Sequence, residues 1–217
     1  MTPELVIFDC DGVLVDTEHA TAAIIAENLT RHGLPVTPRD VATLFVGGTM
    51  EGVRTEATRR GARLPDNWLD DIYDTIYTRM AAGVEVFDGV PDLLDALEAA
   101  GVPCYVASNG TMEKMRHSLG PSGLWDRFRG HLGGRILSRE GHAPKPDPAM
   151  ILHAMAQTGA NAQRTVMIDD SPTGCRAGIN AGVRTIGFAT EGQDAALAAI
   201  GAEVVNTVAG IRRLLLG

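Results

Sequence analysis

Short, almost continuously apolar runs recur along the latter part of the chain and alternate with longer stretches in which apolar residues return every three or four positions. Runs of the first kind, at 4–9, 103–108, 133–137, 165–169 and 184–188, predict strands buried on both faces. Helical spacing predicts helices over 90–100, 111–119, 147–158, 173–181 and 207–215. In the first of these Leu93, Leu94, Leu97 and Ala100 share one face, and Gly101 follows where a left-handed residue can close the helix. Strand and helix in alternation make βαβ units around a parallel sheet covered by helices on both sides. Residues 17–82 break that rhythm with four consecutive helical patterns, at 17–32, 38–45, 49–60 and 66–82, and Gly33, Gly61 and Gly83 stand where three of them should stop. The expected fold is therefore α/β: a Rossmann-like doubly wound parallel sheet made by residues 1–16 plus 83–217, with a smaller all-helical domain, 17–82, inserted after the first strand.

Composition narrows the partners. With 217 residues, 45% of them hydrophobic, the chain can bury one sizeable core and a small second module. A net charge of −8 argues against nucleic acid or an anionic membrane as the main partner, since both need a basic face. Cys10, Cys104 and Cys175 are widely spaced, match no zinc pattern and leave an odd number for pairing, so they read as small buried hydrophobes in a reducing, cytoplasmic setting. No apolar stretch approaches the roughly 18 residues of a membrane span, and the start "MTPELVIFDC" lacks the basic region of a signal peptide. A monomer or weak homodimer is expected.

The chemistry is concentrated where strands end, which in an open parallel sheet is where ligands bind. "LVIFDCDGVLVD" ends its apolar run in Asp9 and Asp11. Two carboxylates about 4 Å apart repel by roughly 4 kcal/mol at an effective dielectric near 20, so a positive group is expected between them. The second strand ends in Ser108 and Asn109, and "TVMIDDS" ends in Asp169, Asp170 and Ser171. After the third strand, "GHAPKPDP" holds Lys145 between two prolines. Taken singly, each has an ordinary structural explanation: a turn, a helix cap, a solvated lysine. Together they would gather four carboxylates, one ammonium and two small hydrogen-bonding side chains in one cleft. Such a set suits magnesium, a hard cation that takes oxygen ligands and is completed by phosphate oxygens. It also suits phosphoryl transfer to a carboxylate, with a second carboxyl serving as acid and base.

The succession "DCDGVLVDTE", "SNG", "KPDP" and "IDDSPTG" resembles the four motifs of the haloacid dehalogenase superfamily, in its phosphatase and phosphomutase branch with a helical cap. The resemblance covers essentially the whole chain and implies a phosphoric monoester hydrolase working through an aspartyl phosphate with Mg2+. By that likeness Asp9 is the nucleophile and a metal ligand, and Asp11 is the general acid and base and ligates the metal through its backbone carbonyl. Asp170 binds the metal directly, and Asp169 through water. Ser108, Asn109 and Lys145 hold the phosphoryl group, and Thr17 and Glu18 form the cap hinge and gate. "SNGTMEKMRHSLG" is similar to the matching stretch of bacterial 6-phosphogluconate phosphatases, which implies a sugar phosphate or sugar-acid phosphate as substrate. Phosphoglycolate phosphatases and β-phosphoglucomutases share the scaffold. The mutases usually carry an arginine in the cap loop where this chain has Gly47, Gly48 and Thr49, which lowers that reading. Arg54, Arg59, Arg60, Arg63 and Arg79 are candidate anion contacts in the cap, none favoured over the others.

Three rivals are weighed against this. A true dehalogenase would need neither the metal nor Asp11. A phosphoacceptor signalling domain uses the same groups in the reverse chain order and without a helical insertion. A non-catalytic phosphate-binding protein would have no need of the complete polar set.

Overall fold

In the computed structural model, residues 2–44, 50–129, 135–190 and 192–217 are described. The Gly47, Gly48 and Thr49 stretch lies outside them. Among the described residues six strands form one parallel sheet: β1 (Leu5–Phe8), β2 (Cys104–Ser108), β3 (Ile136–Ser138), β4 (Thr165–Asp169), β5 (Arg184–Phe188) and β6 (Glu203–Val205). Their order across the sheet is β3-β2-β1-β4-β5-β6, so the chain starts in the middle, winds to one edge, returns beside β1 and winds to the other. That is the doubly wound α/β architecture expected from the sequence.

Pleating sorts the central strands between two cores. Val6 and Phe8 face one way with Val106, Val166 and Ile168, against Leu93 and Leu97 of α5 (Val90–Ala99), Met115 and Leu119 of α6 (Met112–Leu119), Phe128 of α7 (Leu124–Arg129) and Ile211 of α11 (Val208–Leu216). Leu5 and Ile7 face the other way with Tyr105, Ala107 and Met167, against Met150, Ile151 and Ala154 of α8 (Ala149–Thr158) and Ala177 of α9 (Pro172–Asn180). Each large apolar side chain so buried contributes about 1.5–3 kcal/mol, and the alternation along β1 therefore fixes both layers at once.

Between β1 and α5 run four consecutive helices, α1 (Thr17–Arg31), α2 (Pro38–Leu44), α3 (Met50–Arg59) and α4 (Trp68–Ala81). α1, α3 and α4 each stop two residues ahead of Gly33, Gly61 and Gly83. Ile24, Ile25 and Leu29 of α1 pack with Trp68, Ile72 and Ile76 of α4, and the Trp68 indole Nε1 donates to Asn28 Oδ1 at 2.7 Å, leaving neither buried polar group unsatisfied. This apolar interior is continuous with the larger of the two sheet cores. α4 also packs on α6, where Tyr77 stacks on His117 at 5.5 Å between ring centroids.

The differences from expectation are local. The third strand is Ile136–Ser138 rather than 133–137, of which 133 and 134 lie outside the described residues. β6, α7 and α10 (Asp194–Ala199) were not expected. β6 is three residues long, on the sheet edge and only partly buried, and the two helices have six residues each, too short for a period to show.

Candidate active site

The order of the strands assembles the site. β2, β1 and β4 are neighbours, with Phe8 in register with both Val106 and Ile168, so the residues just beyond them reach the same level at the carboxyl edge. Asp9 follows β1, and its N–H donates to Ile168 O at 2.9 Å, which carries the strand pairing one residue further. Ser108 is the last residue of β2 and Asp169 the last of β4. Carboxylate oxygens of Asp9, Asp169 and Asp170 lie within 4.8 Å of one another, and all three residues are buried.

Lys145 comes from the loop after β3 and places Nζ between two of these carboxylates, 2.5 Å from Asp9 Oδ1 and 2.7 Å from Asp169 Oδ2. Its side chain is 4% exposed. Asn109 keeps the lysine in place: its Oδ1 accepts from Lys145 N–H at 2.7 Å and its Nδ2 donates to Lys145 O at 3.0 Å. Both ends of the Asn109 amide are therefore engaged with the Lys145 backbone. Ser108 Oγ accepts from Gly110 N–H at 3.0 Å and keeps its own hydrogen to donate. Asp169 is fully engaged, since its Oδ1 accepts from Ser171 N–H at 3.0 Å and from Ser171 Oγ at 2.7 Å. Ser171 in turn caps α9 by accepting from Gly174 N–H.

Two glycines make room for this crowding. A Cβ on Gly174 would collide with the Asp169 carboxylate, and one on Gly12 with the Asp170 carboxylate. Gly12 also has φ +80°, a conformation that only glycine adopts without strain. It sits in a tight turn in which Gly12 N–H donates to Val15 O, and Leu14 and Val15 N–H donate to Cys10 O. Asp16 N–H donates to Glu85 O and Phe87 N–H to Leu14 O, pinning the turn beside the segment that returns from the inserted helices.

Asp11 points elsewhere. Its Oδ1 accepts from Thr17 Oγ1 at 2.6 Å and its Oδ2 from Lys114 Nζ at 2.7 Å, so its carboxylate stands outside the cluster of Asp9, Asp169 and Asp170. Lys114 is a site residue that sequence reasoning missed, although it lies inside the quoted "SNGTMEKMRHSLG". Thr111 caps α6 by accepting from Lys114 N–H, and although a helix is expected over 111–119, only the packing of α6 beside β1 brings Lys114 Nζ to Asp11. Glu18 is exposed in the first turn of α1, close enough for its charge to act on Asp170.

The electrostatics follow from burying so many acids together. Burial pushes the Asp9 carboxyl up to about 7, against the opposing pull of Lys145 and with Asp169 and Asp11 adding to the rise. Burial, then the charges of Asp169 and Asp9, push Asp170 up to about 9. For Lys145 burial works against the ammonium, but Asp169 and Asp9 outweigh it and hold its pKa above the usual lysine value. Lys114 is held above it in the same way, chiefly by Asp11. One ammonium among three buried carboxylates leaves a site short of positive charge and made entirely of oxygen donors. It fits a hard dication such as magnesium.

The model of the haloacid dehalogenase-like hydrolases matches residues 6–188. The chain belongs to that family. This haloacid dehalogenase-like hydrolase is 30% identical over 191 residues to a 6-phosphogluconate phosphatase of Escherichia coli K12, covering 87% of the chain and 83% of the relative. It is 32% identical over 235 aligned positions to a β-phosphoglucomutase of Mycobacterium bovis, covering 93% and 88%. Among solved structures, a haloacid dehalogenase family hydrolase of Deinococcus radiodurans R1 with bound phosphate and sodium is 31% identical. It superposes with a TM-score of 0.86 over 98% of this chain and 94% of that one.

Proposed function

We propose that this hydrolase is a magnesium-dependent phosphatase of a small phosphorylated metabolite, a sugar or sugar-acid phosphate, and that 6-phosphogluconate is its first candidate substrate. The observation that carries the reading is the buried convergence of Asp9, Asp169 and Asp170 at one end of the parallel sheet, with the Lys145 ammonium bound to the first two. Magnesium would be held by Asp9 and Asp170, the Asp11 backbone carbonyl and, through water, Asp169, and would supply charge neutralisation for the phosphoryl oxygens. Lys145 grips Asp9 Oδ1, which leaves Oδ2 as the atom to attack phosphorus. A bond forms from Oδ2 to phosphorus as the ester P–O bond breaks, and Asp11 gives a proton to the departing oxygen. Asp11 then takes a proton from water as the water oxygen attacks the aspartyl phosphate, releasing inorganic phosphate and restoring the Asp9 carboxylate. Ser108 Oγ–H and Lys145 bear on the transferring oxygens, and Asn109 acts by positioning Lys145.

In this reading residues 17–82 are a cap over a core of 1–16 plus 83–217, with Thr17 and Glu18 at the hinge and gate. The insertion of four helices between β1 and α5 and the Thr17–Asp11 hydrogen bond support it. The three cysteines, all free and buried, support a reducing, cytoplasmic setting. The likeness to a β-phosphoglucomutase favours one second reading, return of the phosphoryl group to another hydroxyl of the same sugar.

The test is release of inorganic phosphate from a panel of phosphorylated metabolites with and without magnesium, in the wild type and in Asp9→Asn. Turnover that needs magnesium and disappears in Asp9→Asn is expected. Conversion of β-glucose 1-phosphate to glucose 6-phosphate without phosphate release would establish the mutase instead. A stable phosphoprotein that never turns over would refute both.

A further inference from the structure

We infer that Lys114 selects substrates carrying an anionic oxygen close to the ester, as in a two-carbon phosphorylated acid. The inference rests on the phosphatase reading and sets a two-carbon phosphorylated acid beside 6-phosphogluconate as a candidate substrate. Two lysines serve the crevice, and they are differently placed. Lys145 has two carboxylate partners and is 4% exposed, on the side of Asp9 and Asp169, where the phosphorus is attacked. Lys114 pairs with Asp11, on the side from which the alcohol departs, and its side chain is 30% exposed. An ammonium has three N–H donors. Among the described residues, Asp11 Oδ2 takes one of those on Lys114. The partial exposure of the side chain leaves room for a ligand anion at the other two, beside the Asp11 carboxylate.

The reach of this group is set by geometry. To protonate the departing oxygen, Asp11 must come within about 3 Å of it, and Lys114 Nζ stands 2.7 Å from Asp11 Oδ2. The ammonium is therefore about two hydrogen-bond lengths from the ester oxygen. A carboxylate on the carbon next to the esterified one falls inside that distance. A carboxylate at the far end of an extended six-carbon chain falls outside it. Lys114 should accordingly distinguish phosphoglycolate from 2-hydroxyethyl phosphate, which has the same two-carbon length with CH2OH in place of the carboxylate. It should be indifferent to whether the remote end of a hexose chain is a carboxylate, as in 6-phosphogluconate, or uncharged, as in glucose 6-phosphate.

The experiment measures kcat/KM for these four esters in the wild type, Lys114→Met and Lys114→Arg. We expect the wild type to favour phosphoglycolate over 2-hydroxyethyl phosphate by roughly ten- to a hundredfold, the range of one charge-assisted hydrogen bond. Lys114→Met should bring that ratio close to one, chiefly through KM of the acid, and Lys114→Arg should keep most of it. The ratio for the two six-carbon esters should not change. If Lys114→Met slows phosphoglycolate and 2-hydroxyethyl phosphate by the same factor, Lys114 serves only to position Asp11 and the inference is overturned. A wild type with no preference between the two-carbon esters overturns it as well, while leaving the phosphatase intact. Failure to turn over any phosphate ester would remove the phosphatase reading and this selectivity together.

Discussion

Replacing Lys145 by methionine removes the one ammonium that holds Asp9 and Asp169 together, at 2.5 and 2.7 Å, and leaves two buried carboxylates facing each other across an apolar side chain of similar length. Breaking a buried ion pair by deleting one partner costs about 3–5 kcal/mol, because the remaining charge has neither water nor a counter-ion. In a chain of this size 1 kcal/mol moves the melting temperature by about 2–4 °C. A fall of roughly 6–20 °C in circular-dichroism melts in EDTA at pH 8 is expected. The loss should shrink at pH 5, because Asp9, whose pKa lies near 7 even with the lysine present, can then take up a proton. Magnesium should restore part of it, up to about 2.7 kcal/mol at a hundredfold excess over its dissociation constant. Arg79→Ala is the control: its pair with Glu27 is more than half exposed on both sides and is worth about 0–1 kcal/mol. If Lys145→Met melts within about 2–4 °C of the wild type in EDTA at pH 8, a shift worth only a single kcal/mol, the carboxylates do not share the buried charge as described.

Two other outcomes follow from the same crowding. Since the folded pKa values of Asp9 and Asp170 are raised, to about 7 and about 9, the folded state binds more protons than the unfolded chain above the ordinary carboxylate range. Metal-free stability should therefore fall as pH rises from about 4 to 9, on the order of a few kcal/mol, and less so in Asp170→Asn. Urea midpoints in EDTA measure it, and a wild-type slope no steeper than that of Asp170→Asn would contradict it. Gly174→Ala should cost about 1–3 kcal/mol by driving a methyl group into the Asp169 carboxylate, whereas Gly141→Ala, with no atom within 4 Å, should cost nothing measurable. Equal urea midpoints for the two variants would count against the close approach.

What sequence determined by itself was everything carried by local pattern. The apolar runs of β1, β2, β4 and β5 and the helices between them were legible because burial on two faces imposes near-continuous apolarity and burial on one imposes a period of 3.6. The polar residues at those strand ends were legible because a parallel sheet brings its carboxyl ends to one edge, so Asp9, Asp11, Ser108, Asn109, Asp169 and Asp170 could be grouped with Lys145 before any distance was known. The edge strand β6 was invisible because three half-buried residues carry no period. Tertiary structure alone decided which way each polar group turns. Asp9 and Asp11 are two residues apart, yet one carboxylate joins Asp169 and Asp170 and the other turns to Thr17 and Lys114. That choice depends on the tight turn at Gly12 and on the direction of α6, which is set by contacts more than a hundred residues apart in the chain and leaves no mark in the spacing of residues.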